Sequence, residues 1–179
     1  THLAWSGDRS HEISMRQRGM SYSDIAESGG GIRSTVLSTR KASDEELRHA
    51  IKSRLYQAVG HGTGRLEAKS GYGLNLETEI RLLKEMKSVA EESSISIETT
   101  WLGAHDFPVE KTRTEYMTDL IDTQLPRVIE ENLASYADVF CEPGWFSLEE
   151  TEQICNEAKV GGLGIRLHVD EFVDGGGLD

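Results

Sequence analysis

The segment LGIRLHVDEF, residues 163–172, begins as a strand and ends in ionisable side chains. Its apolar and ionisable residues alternate, Ile165, Leu167 and Val169 against Arg166, His168 and Asp170. This alternation is typical of a strand with a hydrophobic layer behind it and a wet site in front of it. The pattern therefore predicts that one face packs against helices and that the other presents ionisable side chains to a functional site.

His168 and Glu171 have the clearest chemistry in this segment. Neutral imidazole is a common ligand for zinc or iron, and a carboxylate three residues later can reach a metal-bound water without competing for the metal. A metal can lower the pKa of such a water from 15.7 to about 7, so the carboxylate could accept its proton. The alternative is a structural histidine at a strand end, hydrogen-bonded to Asp170 or to the backbone. The residues alone favour neither interpretation.

Four other side chains could serve a site, and each has an ordinary structural alternative. His2 alone is most simply a surface residue, but a histidine before Thr1 would complete a metal-binding His-x-His pair. His105 is by default a structural histidine at a strand end. Arg9 is either a solvated loop residue or a bidentate clamp on a substrate carboxylate. Tyr72 either fills a turn or is brought close to a ligand by the glycines on both sides.

Glycine-rich segments give weaker signals. The triple glycine at residues 29–31 could form an anion-binding nest, although a flexible loop is the simpler interpretation. The motif G-x-G-x-x-G is absent from every predicted strand-to-helix turn, so dinucleotide binding has no support.

Composition excludes several classes of protein. The 179 residues are 37% hydrophobic and carry a net charge of -12, which suits one globular core. The charge is spread along the chain, so nucleic acid is not an expected partner, because it requires a clustered basic surface. No apolar run approaches the roughly 20 residues that span a bilayer, and the first residues lack signal-peptide features. Cys141 and Cys155 fall on a predicted strand and helix, which favours a reducing cytoplasm.

Helical and strand patterns alternate after about residue 40. The predicted helices cover about 43–59, 77–92, 113–122, 126–134 and 147–162, and the predicted strands cover 66–69, 95–104, 138–142 and 163–169. Helices between successive strands imply a parallel sheet with crossover connections. The length favours a doubly wound open sheet, because a (β/α)₈ barrel typically needs about 250 residues. Polar residues at the ends of several strands favour the barrel, although open sheets also bind ligands there.

Six stretches, taken in order, resemble the imidazolonepropionase family of the amidohydrolase superfamily. They are THLAWSGDR, ESGGGIRSTVLSTR, EAKSGYGLNLETE, TWLGAHDFP, ADVFCEPGWFS and LHVDEF. The resemblance runs from residue 1 to about 178, and KSGYGL is rather particular to the family. It implies a cytoplasmic enzyme of histidine degradation on a (β/α)₈ barrel of the metal-dependent hydrolase type. Residues 1–179 would form one partial catalytic barrel domain.

The resemblance also implies a reaction and a metal. The reaction is hydrolysis of the lactam ring of 4-imidazolone-5-propanoate to N-formimidoyl-L-glutamate, in a homodimer with one zinc or iron ion. The alternative is another cyclic-amide hydrolase, or a deaminase, on the same scaffold. His2 and His168 match metal ligands. The remaining metal ligands would stand before Thr1 and beyond Asp179, so we expect this segment to be the middle of a longer protein.

The same resemblance assigns roles to four further residues. Glu171 matches the acid/base glutamate, and it would act as general base and then as general acid. His105 would contact substrate and stabilise the developing oxyanion. Arg9 would anchor the propionate tail, and Tyr72 would position the ring.

Overall fold

The computed structural model describes residues 1–21, 24–25 and 28–177. In these ranges the strands are β1 (Arg65–Lys69), β2 (Ser96–Ala104), β3 (Tyr136–Cys141) and β4 (Gly164–Val169). The helices are α1 (His11–Gln17), α2 (Gly31–Lys41), α3 (Asp44–Gly60), α4 (Leu76–Glu91), α5 (Arg113–Asp119), α6 (Leu125–Glu130) and α7 (Leu148–Val160), and a π-helical segment (Leu120–Gln124) joins α5 to α6.

The four strands form one parallel sheet in the order β1-β2-β3-β4. Each strand therefore pairs with the next in sequence, and helices make the crossovers between them. A doubly wound sheet reverses its strand order at a switch point, and the described strands do not. The predicted α/β class with parallel pairing is confirmed, and the sheet has the topology of half a barrel.

Capping side chains define where several helices begin. Ser43 begins α3 and Ser147 begins α7, each in a reciprocal capping box with the glutamate three residues later. The predicted stripe of α3 is buried at Leu47, Ile51 and Leu55. Val59, predicted on the same stripe, is 38% exposed because it lies in the last turn of the helix.

The region between β2 and β3 differs from its prediction. Two helices were expected at 113–122 and 126–134, whereas α5, the π-helical segment and α6 form one continuous run that ends at Glu130. Pro126 cannot donate a backbone hydrogen bond, which interrupts the regular helical pattern, and the π-helical segment lies just before it. The run ends early because Asn132 has a left-handed backbone, with φ of 50°.

The apolar side of β4 is less buried than its alternation predicts. Leu167 is 41% exposed, and Ile165 and Val169 are only partly buried. β4 is the edge strand of the described sheet, so only one neighbour and α7 shield it. Cys141 in β3 and Cys155 in α7 are buried free thiols. Within the described ranges no helix is both long enough and apolar enough to cross a membrane.

Candidate active site

Three aromatic rings meet above the carboxyl ends of β1 and β2. The ring of His2 lies 4.6 Å from that of Tyr72 and 5.0 Å from that of His105, measured between centroids, and Tyr72 lies 5.2 Å from His105. The N-terminal segment reaches this point because the backbone N–H of Lys69 donates to the carbonyl of Thr1 at 2.8 Å. The fold thus brings together His2, Tyr72 and His105, three candidate site residues from separate motifs, at one end of the sheet.

His2 has the properties of a neutral ligand. Its Nδ1 is buried and has no hydrogen-bond partner among the described residues. Burial lowers the pKa of His2 well below its ordinary value, and the nearby His105 and His168 lower it further. A neutral imidazole with a buried, unpartnered nitrogen fits a metal ion better than it fits a packed core.

His105 is held by the loop after β1. Its Nδ1 lies 2.8 Å from the carbonyl oxygen of Gly71, which can only accept, so the proton is on Nδ1. Burial lowers the pKa of His105 to about 4, so the ring is neutral near pH 7. Its Nε2 is then an acceptor and has no proton to donate. The predicted oxyanion role would require a proton on Nε2, so it stays a prediction.

His168 is oriented by a buried carboxylate. Its Nδ1 lies 3.0 Å from Oδ1 of Asp138, whose other oxygen accepts a hydrogen bond from Lys69 Nζ at 2.5 Å. Burial acts to raise the pKa of Asp138, but the bonds from His168 and Lys69 hold it below its usual range. The partner is therefore Asp138 and not Asp170, the residue of the structural alternative. A carboxylate on one imidazole nitrogen is the usual support for a histidine that binds metal through the other.

The described residues do not by themselves complete a metal site. No group of three histidine, cysteine, aspartate or glutamate side chains in the described ranges could hold a metal ion. His2 and His168 nevertheless fit such an ion, because His2 has a buried, unpartnered nitrogen and His168 is oriented by a carboxylate. The chain thus offers part of a coordination shell.

Glu171 follows β4 on a tightly fixed loop. Its backbone N–H donates to Oε1 of Glu142, at the end of β3, and Oε2 of Glu142 is buried without a partner in the described part of the chain. Asp170 has φ of 54°, and its side chain accepts a hydrogen bond from the N–H of Gly175 at 2.8 Å. Asp170 therefore shapes the loop, which gives it a structural role.

Arg9 lines a cavity together with Tyr72. The cavity has a volume of about 350 Å³ and is also lined by Trp5, Glu12, Ile13, Arg16 and Thr35. Glu12 orients Arg9 through two hydrogen bonds, of 3.0 Å to Nε and 2.8 Å to Nη2. Burial raises the pKa of Tyr72, so its phenol stays protonated near neutral pH and can donate. Two predicted substrate contacts therefore face one cavity.

The triple glycine at residues 29–31 contacts the carboxylate of Glu12. The N–H of Gly31, the first residue of α2, donates to Oε1 of Glu12 at 2.7 Å. A side chain at Gly30 would place its Cβ 2.9 Å from the same oxygen. The segment thus binds an anion, but the anion is an internal carboxylate.

Below the site, the inner face of the sheet carries paired charges. Glu67 of β1 accepts hydrogen bonds from Lys69 at 2.7 Å, from Thr100 at 2.7 Å and from Arg166. Burial acts to raise the pKa of Glu67, but these donors lower it to about 2. Arg166 also binds Glu98 at 3.0 Å, which links β4 to β2 across the face.

Replacing Glu67 with glutamine should lower the free energy of unfolding at pH 6 by about 1–2 kcal/mol, since a charged acceptor is lost. The folded pKa lies below the unfolded one, so this contribution is complete above about pH 4.5 and is lost as the pH falls toward 2. Urea unfolding of the full-length wild-type and Glu67→Gln proteins should therefore show that the difference between their free energies of unfolding becomes smaller from pH 6 to pH 3. A difference in the free energy of unfolding that stays constant over this pH range would contradict the low pKa of Glu67. Glu92→Gln, at an exposed ion pair, is the control.

No protein-family model matches this chain. The chain is 46% identical to the imidazolonepropionase of Shewanella sediminis, 43% to that of Thermoanaerobacter pseudethanolicus and 44% to that of Clostridium tetani. These alignments take in 99%, 99% and 100% of the chain but 44%, 43% and 43% of those proteins.

One solved structure gives a more distant match. It is described as a mandelate racemase/muconate lactonizing enzyme from Sorangium cellulosum, with a TM-score of 0.30 and 16% identity over 70% of this chain and 34% of that one. A likeness this distant supports no argument. The curated relatives confirm the predicted resemblance: along its whole length this chain is related to the imidazolonepropionases, of which it spans somewhat less than half.

Proposed function

We propose that the protein containing this chain hydrolyses the lactam ring of 4-imidazolone-5-propanoate to N-formimidoyl-L-glutamate. The observation that carries the proposal is that His2, Tyr72 and His105 come together at the end of the sheet where parallel α/β folds bind ligands. The chain that contains them is 46% identical to an imidazolonepropionase. The same relationship supports a complete (β/α)₈ barrel, to which the described residues contribute four strands, and a cytoplasmic homodimer.

The proposed cofactor is one zinc or iron ion. His2 and His168 would hold it, with the other ligands supplied from outside the 179 residues. When bound, the metal would supply Lewis acidity and lower the pKa of a coordinated water. Asp138 would keep the proton of His168 on Nδ1, and so leave Nε2 for the metal.

The proton transfers are assigned to Glu171. In ring opening a water proton must be removed, and the departing ring nitrogen must receive one, so one carboxylate can serve first as base and then as acid. The bond from the Glu171 backbone to Glu142 fixes the loop and leaves the side chain exposed on the surface of the described chain. An acid with a fixed backbone and an exposed side chain suits both transfers.

The remaining residues would bind and orient the substrate. His105 presents an acceptor at Nε2, so it would take a hydrogen bond from a ring N–H of the imidazolone. The protonated phenol of Tyr72 would donate, and Arg9 would bind the propionate in the cavity that they share. Partial exclusion of water from these half-buried rings would strengthen each of these bonds.

The decisive assay follows the loss of imidazolonepropionate absorbance with the metal-loaded, full-length protein. Turnover, together with near-stoichiometric zinc or iron, would support the proposal. Absence of turnover by a metal-loaded sample would refute it. Equal turnover of a cyclic amide or an aminated ring that lacks the propionate would favour the alternative within the superfamily, a different cyclic-amide hydrolase or a deaminase.

Changing Arg9 to lysine should raise KM for imidazolonepropionate about tenfold and leave kcat within about threefold. Lysine keeps the charge, but it lacks the planar guanidinium that can bind Glu12 at two points and still present N–H donors to a second carboxylate. Steady-state kinetics of the full-length protein would measure both constants. Arg18→Lys, in the exposed turn after α1, is the matched control. For the neutral propionamide analogue, the Arg9→Lys variant should have the same KM as the wild type, and an equal rise would count against a carboxylate contact.

A further inference from the structure

We propose that Glu79 is a positioning residue for the substrate: its carboxylate fixes the loop at residues 70–74, and through that loop it places Tyr72 and sets the tautomer of His105. This inference rests on the proposed function for the roles of those two side chains. It concerns a residue to which the sequence motifs assign no role in the site.

Glu79 is a fully buried acid in the first turns of α4, with 0% of its surface exposed. Its carboxylate accepts hydrogen bonds from three backbone N–H groups of the loop. The donors are the backbone N–H groups of Gly71 at 2.9 Å, Gly73 at 2.6 Å and Leu74 at 3.0 Å. The Ser70 hydroxyl also hydrogen-bonds to it. Almost the whole loop is therefore organised around a single side chain.

These bonds are not needed to cap the helix. Asn75 already performs that function, because its side chain accepts from the N–H of Thr78 at 2.8 Å. Glu77, in the same first turn, supplies a negative charge at the helix N-terminus from a more exposed position. Burial of a second carboxylate has no helical purpose here, and its described donors belong to the loop.

The loop has a conformation that requires such support. Gly71 has φ of 104°, and Leu74 has φ of 51°, which is unusual for a residue with a branched side chain. A Cβ at Gly73 would lie 2.8 Å from Oε1 of Glu79, and a Cβ at Gly71 would lie 2.9 Å from Nδ1 of His105. The backbone thus passes through a narrow gap between Glu79 and His105.

Gly71 transmits the position of Glu79 to His105. Its N–H is held by Glu79, and its carbonyl oxygen accepts from Nδ1 of His105 at 2.8 Å. That second bond keeps the proton on Nδ1 and leaves Nε2 as the acceptor proposed for the substrate. Tyr72 stands between two glycines whose N–H groups both bind Glu79, and its ring packs against His2. A shift of the loop would therefore disturb both substrate contacts together.

The test is Glu79→Gln in the full-length protein, with Glu85→Gln as the matched control. Glutamine keeps one acceptor, but its NH₂ group faces an N–H donor of the loop, so the loop must shift. Glu85 lies on the same helix, is also buried, and binds Arg48 at 2.7 and 3.1 Å, away from the loop. The control therefore removes a comparable charge without changing residues 70–74.

Two readouts decide the inference. In ¹⁵N spectra of the imidazole rings without substrate, with His105→Gln used for assignment, Glu79→Gln should shift the His105 signals away from a pure Nδ1–H form. In steady-state assays it should lower kcat/KM about tenfold, within the range typical for supporting partners, mainly through KM. Glu85→Gln should alter neither quantity. Unchanged His105 signals and KM in a folded Glu79→Gln protein would overturn the inference.

Ser70→Ala gives a milder second variant in case Glu79→Gln does not fold. It removes one hydroxyl that binds Glu79 and that also accepts from the N–H of Leu102 at 3.0 Å. A smaller shift of the His105 signals in the same direction would support the inference, and no shift would overturn it. The ring spectra need no substrate, so they test Glu79 even if the wild-type protein fails to open imidazolonepropionate.

Discussion

Changing Glu171 to glutamine should lower kcat for ring opening by about 10²- to 10⁴-fold, with little change in KM. A glutamine side chain has nearly the same shape, but it can neither take a proton from water nor deliver one to the departing nitrogen. The loss belongs to the transition state, so kcat and kcat/KM should fall together. Steady-state assays of the metal-loaded, full-length protein would measure both.

The loop should tolerate this substitution, which makes the result interpretable. The described contact that fixes Glu171 is made by its backbone N–H to Glu142, and glutamine leaves that N–H in place. Asp174→Asn is the matched control, because Asp174 is an exposed acid on the same loop. We expect it to leave kcat within about threefold. A Glu171→Gln protein that retains more than a tenth of the wild-type kcat would remove Glu171 from the proton transfers.

Local signals in the sequence predicted much of the fold. The alternation of helix and strand patterns required parallel pairing, and the sheet order confirms it. The capping boxes of α3 and α7 place the helix starts where Ser43 and Ser147 predict them. These features depend on residues that are close in sequence, so a single sequence contains them. The exposure of Leu167 depends instead on what lies beside β4, which its alternation cannot specify.

The acids that support the site could not be predicted in the same way. Asp138 lies 30 residues from His168, Glu12 lies 19 residues from Gly31, and Glu142 provides a hydrogen bond to a backbone 29 residues later. None of these pairs has a local pattern, because each contact exists only after the strands have paired. One signal was available: Asp138 is a charged residue at the first position of a predicted strand, between Ala137 and Val139, and a buried charge needs a partner.

Changing Lys69 to methionine should lower the free energy of unfolding by about 3 kcal/mol. The side chains of Lys69 and Asp138 are only 9% and 1% exposed, and removal of one partner from a buried ion pair typically costs about 3–5 kcal/mol. His168 remains bonded to Asp138, so we expect the lower end of that range. Urea unfolding of the full-length protein would measure the change. Lys52→Met, which breaks the exposed pair with Glu92, should cost less than about 1 kcal/mol.

Variants of Lys69 and Asp138 can distinguish an effect on stability from an effect on metal binding. Lys69→Met with Asp138→Leu should regain part of the lost stability, because no buried charge is left without a partner. It should also weaken zinc or iron affinity by roughly 10- to 100-fold, since His168 loses the carboxylate that orients it. Lys69→Met alone keeps that carboxylate, so its metal affinity should fall less. Chelator competition on the folded proteins would compare them. Equal affinity in the double variant and the wild type would show that Asp138 supports the fold and not the metal.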